Sequence, residues 1–189
     1  MTTTTPRDQM VEAASRLFAK QGFRTTTMRG IVDEAGAPWG SLQHYWPGGK
    51  EQLGAAAVQY GDQRVRGLIT HCLETTDTVE DAVAKYHHVV GKVLEASGWV
   101  EGCPVTTVAL EVSADGSAVS EACGAAFNGW VALWANALKA AGLPAKKAKE
   151  VATAIVSGST GALTMSRLVR TTAPLKLSAE NLRALIAQS

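Results

Sequence analysis

The sequence has no long apolar run and no signal-peptide pattern. None of its 189 residues belongs to an apolar stretch near the roughly 18 residues that a membrane-spanning helix needs. The first residues, Met1 to Pro6, are polar and rich in threonine, without the basic and then apolar order of a signal peptide. We therefore expect a cytoplasmic protein with no membrane partner.

Cysteine is scarce, and the motifs of common enzymes are missing. Cys72, Cys103 and Cys123 are widely spaced and odd in number, so they suggest neither a metal-ligand pair nor a disulfide framework. No glycine-rich phosphate loop, nucleophile elbow or suitably spaced carboxylate pair is present. We expect no metal, no cofactor, no catalytic residues and no enzymatic activity.

The sequence also lacks a large excess of either positive or negative charge, since its formal net charge is +1. Residues 1–50 contain six Lys or Arg against four acids, a balance of +2 that leaves −1 for the remainder. This asymmetry is small, and an ordinary solvated surface explains it as well as a phosphate-facing patch does.

What the sequence does contain is helical periodicity from end to end, which predicts an all-α fold. The start of the first helix is marked by Thr5 as N-cap, Pro6 at the first position and Asp8 as capping-box acid, and Gly22 marks its end. We expect an N-terminal three-helix head over residues 1–50 and a larger helical body over residues 51–189. In the body, residues 115–117 predict a turn, and Ser178 is the expected cap of a short last helix.

Two short helical segments in the head favour a helix-turn-helix. The first follows Thr26 or Thr27 and ends at Gly36, and the second opens near Pro38 and points Leu42, Tyr45 and Trp46 inward. The outer face of the second helix would enter the major groove of DNA. The candidate DNA-binding residues are Thr27, Pro38, Trp39, Ser41, Gln43, His44 and Lys50. From spacing alone, a polar surface on a helical bundle remains an open alternative.

The stretch from Gly22 to Leu53 resembles the DNA-binding head of the tetracycline-repressor (TetR) family. The resemblance lies in Gly22–Met28, Ile31–Ala37, Gly40–Pro47 and Lys50–Leu53, in register over about the first 55 residues. More loosely, Gly102-Cys103-Pro104, Leu110-Glu111-Val112 and the Gly48-Gly49-Lys50 insertion resemble the LmrA/YxaF-like branch of that family. The resemblance implies a homodimeric transcriptional regulator. It would be a repressor that leaves a palindromic operator in double-stranded DNA when a small hydrophobic effector binds the body.

Three exposed positions depart from the usual family pattern. The family commonly has serine where Pro38 stands, lysine where Trp39 stands and tyrosine where Gln43 stands. Loss of the lysine removes one expected phosphate contact, which should flatten the salt dependence of binding. An amide such as Gln43 can instead make a bidentate contact with adenine.

The body is rich in aromatic side chains that could line an effector pocket, because such pockets are apolar with a few polar anchors. The candidate ligand-binding residues are Tyr86, Trp99, Cys103, Phe127, Trp130, Trp134 and Met165. His87 and His88 could anchor a polar group beside Tyr86. The alternative that these aromatic side chains simply form the core stays open.

A small-residue stretch in the late long helix suggests close approach between helices. Glycine in a helix costs about 1 kcal/mol relative to alanine, so close packing is a plausible compensation. The resemblance implies a four-helix dimer interface built from two late helices of each subunit. The candidate interface residues are Ala154, Gly158, Gly161, Ala162 and Met165, with packing inside one chain as the alternative.

Two other functions remain open at this point. Cys103 before Pro104 could serve a thiol-based redox or electrophile sensor, although Val100 and Glu101 would not lower its pKa. The second alternative is a helical protein that binds a small molecule but not DNA. The predicted helix-turn-helix in residues 1–50 disfavours this alternative.

Overall fold

The computed structural model describes residues 5–112 and 116–189, and over these residues the chain is all-helical with no strand. The predicted fold class is therefore confirmed. The turn predicted at residues 115–117 lies partly outside the described residues. In chain order, the helices of the described residues are α1 (Pro6–Gln21), α2 (Met28–Ala35), α3 (Leu42–Tyr45), α4 (Gly49–Glu74), α5 (Val79–Ala96), α6 (Pro104–Val112), α7 (Ala118–Ala140), α8 (Ala145–Val169) and α9 (Ala173–Ala187).

Both ends of α1 form as their residues predict. The Thr5 hydroxyl accepts a hydrogen bond from the Asp8 N–H at 3.2 Å, and the Asp8 carboxylate accepts one from the Thr5 N–H at 3.3 Å. The Thr5 hydroxyl also donates to this carboxylate, which lowers the pKa of Asp8. At the other end, the Gly22 N–H donates to the Phe18 carbonyl at 3.0 Å. The rings of Phe18 and Phe23 then meet edge to face, 5.5 Å apart.

Thr27, rather than Thr26, caps α2. The Thr27 hydroxyl accepts from the Gly30 N–H at 3.0 Å, whereas the buried Thr26 hydroxyl donates to the Gly22 carbonyl. Gly36 ends α2 in the left-handed conformation that favours glycine.

The second helix of the helix-turn-helix is shorter than the sequence predicts. A 3-10 turn occupies Trp39–Ser41, and α3 follows it with four residues only. The Ser41 N–H and the Ser41 hydroxyl both donate to the Pro38 carbonyl, at 3.0 and 2.6 Å, which holds the tighter turn.

Contacts divide the chain into two compact units. One unit comprises Met1–Gln63 with Cys103–Ala126, and the other comprises Arg64–Gly102 with Phe127–Ser189. In the first unit α1 packs against α2 and α6, and in the second α5, α8 and α9 pack against one another. The predicted division at residue 50 stays a prediction about domains. By contacts, however, the unit that holds the head also includes the first part of α4, α6 and the start of α7.

The last helix begins earlier than predicted. Helix α9 starts at Ala173 with Pro174 in its first turn, a position where the missing N–H of proline costs nothing. Ser178 is therefore an interior residue of α9 and not its cap. Its hydroxyl lies 3.3 Å from Nε2 of His87 instead.

Candidate nucleic-acid interface

The 3-10 turn and α3 present a continuous exposed face. Pro38, Trp39, Gln43 and His44 are exposed, and 57% of the Trp39 surface is accessible. On the opposite side Trp46 is buried, which anchors the segment to the core of its unit. These four predicted residues therefore lie together within residues 38–44, where they can reach another molecule.

Two other predicted residues already make hydrogen bonds within the head. The Ser41 hydroxyl donates to the Pro38 carbonyl, and Thr27 uses its hydroxyl to cap α2. Thr27 is nonetheless exposed at the N-terminus of α2, where backbone N–H groups and the helix dipole favour an anion.

Lys50 is directed into the loop between α1 and α2. Its ammonium donates to the Arg24 carbonyl at 3.2 Å and lies 4.5 Å from the centroid of the Phe23 ring. Burial lowers the pKa of Lys50, and the charge of Glu111 partly opposes this shift. A contact between Lys50 and a phosphate would need this side chain to swing outward, so its DNA-binding role stays a prediction.

Glu111 of α6 holds the same loop, a role that its place in the sequence does not indicate. Its carboxylate accepts from the Arg24 N–H at 2.6 Å, and its carbonyl accepts from the Arg24 guanidinium at 2.8 Å. A Cβ atom on Gly22 would collide with Oε1 of Glu111, so only glycine leaves room for this contact. We call these contacts of Glu111 with Gly22 and Arg24 the α6 latch. Its only sequence signal is the loosely matching Leu110-Glu111-Val112 stretch.

Two of the four arginines in residues 1–50, Arg16 and Arg29, form ion pairs with acids. Arg16 lies 3.5 Å from the Glu34 carboxylate, and Arg29 lies 3.9 Å from that of Asp33. Exposed ion pairs of this kind contribute only about 0–1 kcal/mol to the stability of the fold.

Two family models match the chain on either side of residue 60. The model described as "Bacterial regulatory proteins, tetR family" matches residues 10–57. The model described as "Transcriptional regulator LmrA/YxaF-like, C-terminal domain" matches residues 79–181. The chain belongs to the TetR family of transcriptional regulators.

Individual relatives support this membership. The HTH-type transcriptional regulator LmrA of Bacillus subtilis is 31% identical over 169 residues, which cover 89% of this chain and 90% of that protein. The HTH-type transcriptional repressor KstR2 of Rhodococcus jostii is 30% identical over 114 residues, covering 60% of this chain and 47% of that protein. The predicted family and its LmrA/YxaF-like branch are thus confirmed.

Solved structures share the fold. A TetR regulator from Chloroflexus aurantiacus superposes with a TM-score of 0.81 at 23% identity, covering 97% of this chain and 95% of that one. A TetR regulatory protein from Rhodobacter sphaeroides gives a TM-score of 0.85 at 19% identity, covering 95% and 98%.

In this TetR-family protein the aromatic residues predicted to bind a ligand are mostly packed. Trp130 and Trp134 are buried, and the Trp134 ring meets Tyr86 edge to face at 6.1 Å. Phe127 packs on Trp130 in the same way at 5.0 Å. Trp99 lies just after α5 with a positive φ of 67°, and Met165 is exposed. The ligand-binding role of these residues stays a prediction.

Cys103 belongs to the first unit, at the start of α6. Burial raises the pKa of its thiol above the ordinary value, and burial likewise raises the pKa of Cys123 to about 11. A raised pKa lowers the thiolate fraction at neutral pH, which disfavours a redox or electrophile sensor at Cys103.

The second unit contains a groove of about 320 Å³ between α5 and α9, a volume at the lower end of small-molecule sites. None of the seven predicted ligand-binding residues lines it, although His87 and His88 do. Its charged and polar lining comprises His87, His88, Lys92, Glu95, Thr172, Lys176, Glu180 and Arg183.

His87 at this groove is buried and held in one tautomer. Its Nδ1 lies 2.8 Å from the Val83 carbonyl and must donate to it. The Ser159 hydroxyl donates to the Ile155 carbonyl at 2.7 Å, which leaves the Ser178 hydroxyl to donate to Nε2 of His87. Burial lowers the pKa of His87, and the bond to Val83 only partly opposes this.

We predict that His87 makes the protein less stable as the pH falls. The unfolded chain takes up a proton near pH 6.5 and the native state resists it, so stability decreases below about that pH. The free energy of unfolding should change by at most about 1.4 kcal/mol per pH unit, which is the limit for the uptake of one proton. Urea unfolding between about pH 7.5 and pH 5 should show a flatter profile for His87→Gln.

The exposed neighbour His88 provides the matched control for this experiment. His88→Gln should keep the wild-type slope, because it leaves the buried His87 and its hydrogen bonds to Val83 and Ser178 in place. Equal slopes for wild type and His87→Gln would show that other groups cause the acid sensitivity.

The predicted interface residues of α8 divide into buried and exposed ones. A Cβ on Gly158 would contact Leu182 of α9 at 3.5 Å, and Ala162 is buried, so both face the interior of their own unit. Gly161 and Met165 are exposed, and Ala154 is half-buried. Only the exposed residues are available to a second copy without rearrangement.

Membrane-spanning helices and metal clusters are absent from residues 5–112 and 116–189. No helix there combines the length and apolar character needed to cross a membrane, and no group of three metal-ligating side chains comes together.

Proposed function

We propose that this protein is a homodimeric transcriptional repressor that binds a palindromic operator and is released by a small hydrophobic effector. The observation that carries the proposal is the exposed face of the 3-10 turn and α3, set on a buried Trp46 in a TetR-family head. A regulator of this kind needs no catalytic residues.

Gln43 is the residue we assign to base reading. It is exposed near the middle of this face. From the major groove, its amide N–H can donate to N7 of adenine while its carbonyl accepts from the N6 amino group. Trp39 and Pro38 offer apolar surface to sugars or thymine methyl groups, and His44 can donate to a base or a phosphate.

Homodimerisation is supported by apolar side chains that the single chain leaves exposed. Met165, Leu168 and Val169 of α8 and Leu177 of α9 are all exposed. Met165, Leu168 and Val169 share one face of α8 by their i, i+3, i+4 spacing, and an exposed apolar face of this kind is typical of an interaction site. A second copy related by two-fold symmetry would cover it and would place two heads on the two halves of a palindrome.

Release by an effector requires that the ligand discriminate between two states of the protein. A ligand that bound both states equally would shift nothing, however tightly it bound. The aromatic residues of the second unit and the groove between α5 and α9 are the regions to which we assign this binding. A thermal-shift screen of hydrophobic compounds tests it, because a ligand of the native state raises the unfolding temperature.

We predict that Gln43→Ala weakens binding to the cognate operator by about 1–3 kcal/mol and spares non-specific binding. Removal of a base contact lowers discrimination, whereas phosphate contacts are unchanged. Fluorescence anisotropy with the protein's own upstream DNA and with an unrelated duplex measures the two affinities.

Gln63→Ala, a change of an exposed glutamine in α4, is the control and should affect neither duplex. Equal loss on both duplexes for Gln43→Ala would assign Gln43 to positioning on the backbone. Absence of binding by the wild-type protein to any neighbouring intergenic DNA would contradict the repressor proposal.

A further inference from the structure

Arg7 of α1 lies beside the C-terminal end of α3. Its guanidinium carbon is 4.7 Å from the centroid of the Trp46 ring, and Trp46 is the residue that ends α3. Only 2% of the Trp46 surface is accessible, so the ring is a fixed platform. Stacking on this ring holds the Arg7 side chain at the end of α3, so that little further conformational entropy is lost when Arg7 binds another group.

Arg7 forms no ion pair with a described residue, although its charge is one of the smaller causes that lower the pKa of the adjacent Asp8. Among the described residues no carboxylate lies within 4.0 Å of its guanidinium, in contrast to Arg16 and Arg29. The adjacent Asp8 carboxylate is occupied by the backbone and hydroxyl of Thr5. Arg7 therefore offers a positioned positive charge with unused N–H donors on the surface of the head.

Arg7 and Trp46 form one end of an open groove of about 450 Å³ that continues along the first turns of α4. The groove is lined by one carboxylate, Glu51, whose oxygen accepts from the Ala118 N–H at 3.1 Å. The Gln52 carbonyl oxygen accepts from the Gly48 N–H at 3.0 Å, which leaves the Gln52 amide to donate. The lining therefore offers a guanidinium and an amide as donors, and its one carboxylate is already engaged by a backbone N–H.

We propose that Arg7 binds a phosphate of the operator DNA, beside the major groove that α3 enters. A guanidinium matches phosphate geometry with two parallel N–H bonds, and such contacts fix the position of a protein on the duplex without reading its sequence. This inference rests on the proposed function, since it adds a backbone contact to the same DNA-binding face. The occupant is double-stranded DNA, and Arg7 acts as a positioning residue for Gln43.

The test is the salt dependence of DNA binding by Arg7→Gln. Each phosphate neutralised by the protein contributes about −0.9 to the slope of log K against log salt. In a dimer the slope should therefore flatten by about 1.8, twice that value, with equal relative loss of affinity on operator and unrelated duplex. Arg7→Lys should keep the wild-type slope, because it keeps the charge.

Arg16→Gln is the matched control, since it removes the same charge from an arginine that is paired with Glu12 and Glu34. Urea unfolding of each variant confirms that the head is folded before binding is measured. A wild-type slope for folded Arg7→Gln, or the same change for Arg16→Gln, would overturn the assignment. Neither result would affect the repressor proposal, which fails only if the wild-type protein binds no DNA.

Discussion

Gly22→Ala should lower the free energy of unfolding by about 3 kcal/mol. Gly22 has φ 85° and ψ 175°, a backbone region almost confined to glycine, and a side chain there costs about 1–3 kcal/mol. The new Cβ also occupies the position of the Glu111 carboxylate. Moving that carboxylate breaks its bond to the Arg24 N–H, and hydrogen bonds to charged groups contribute about 1.5–3 kcal/mol.

Gly36→Ala separates the two causes. Gly36 also has a positive φ, 61°, but a Cβ atom added there would meet no neighbouring atom within 4 Å. This variant should lose only about 1 kcal/mol, the backbone cost. Urea unfolding gives both values, and equal losses at the two glycines would show that the α6 latch adds no stability. A double variant with Glu111→Ala should lose less than the sum of its parts, because the collision is then absent.

Leu168→Glu should convert the proposed dimer to a monomer. Leu168 is 79% exposed on α8 in the single chain, beside Met165 and Val169. If a second copy covers this face, two-fold symmetry places two new carboxylates in one apolar interface. Burial of unpaired charge costs several kcal/mol for each ion, enough to separate subunits at micromolar concentration. Sedimentation velocity measures the change.

Leu110→Glu is the matched control, because Leu110 of α6 is also 79% exposed. It should leave the sedimentation coefficient of the dimer unchanged. A dimeric Leu168→Glu protein would remove this face of α8 from the interface, and a monomeric Leu110→Glu protein would move the interface towards α6.

Local signals predicted the fold well. The Thr5–Asp8 capping box and the Gly22 stop depend on residues within a few positions of one another, so the sequence displays them directly. For α2 the sequence leaves Thr26 and Thr27 open as the cap, and the bond from the Thr26 hydroxyl to the Gly22 carbonyl decides for Thr27. The prediction that Ser178 caps the last helix was wrong, because a serine can either cap a helix or lie inside one. The contact that its hydroxyl makes with His87 is not visible in the local sequence.

The site was predictable as a segment but not in its internal contacts. The exposed positions of Pro38, Trp39, Gln43 and His44 follow from helical periodicity and the family pattern. The inward direction of Lys50 does not, because it depends on Phe23 and on the distant Glu111. The stacking of Arg7 on Trp46 joins residues 39 positions apart, which no local pattern displays.

The α6 latch also bears on how the head is made during synthesis. Arg24 and Glu111 are separated by 87 residues, and α1 packs on α6 in the same unit. A nascent chain that ends at residue 50 has the helix-turn-helix sequence but not its supporting helix. The head therefore reaches its final packing only after α6 has left the ribosome. We expect a fragment of residues 1–50 to be less stable and to bind DNA more weakly than the same segment in the whole chain.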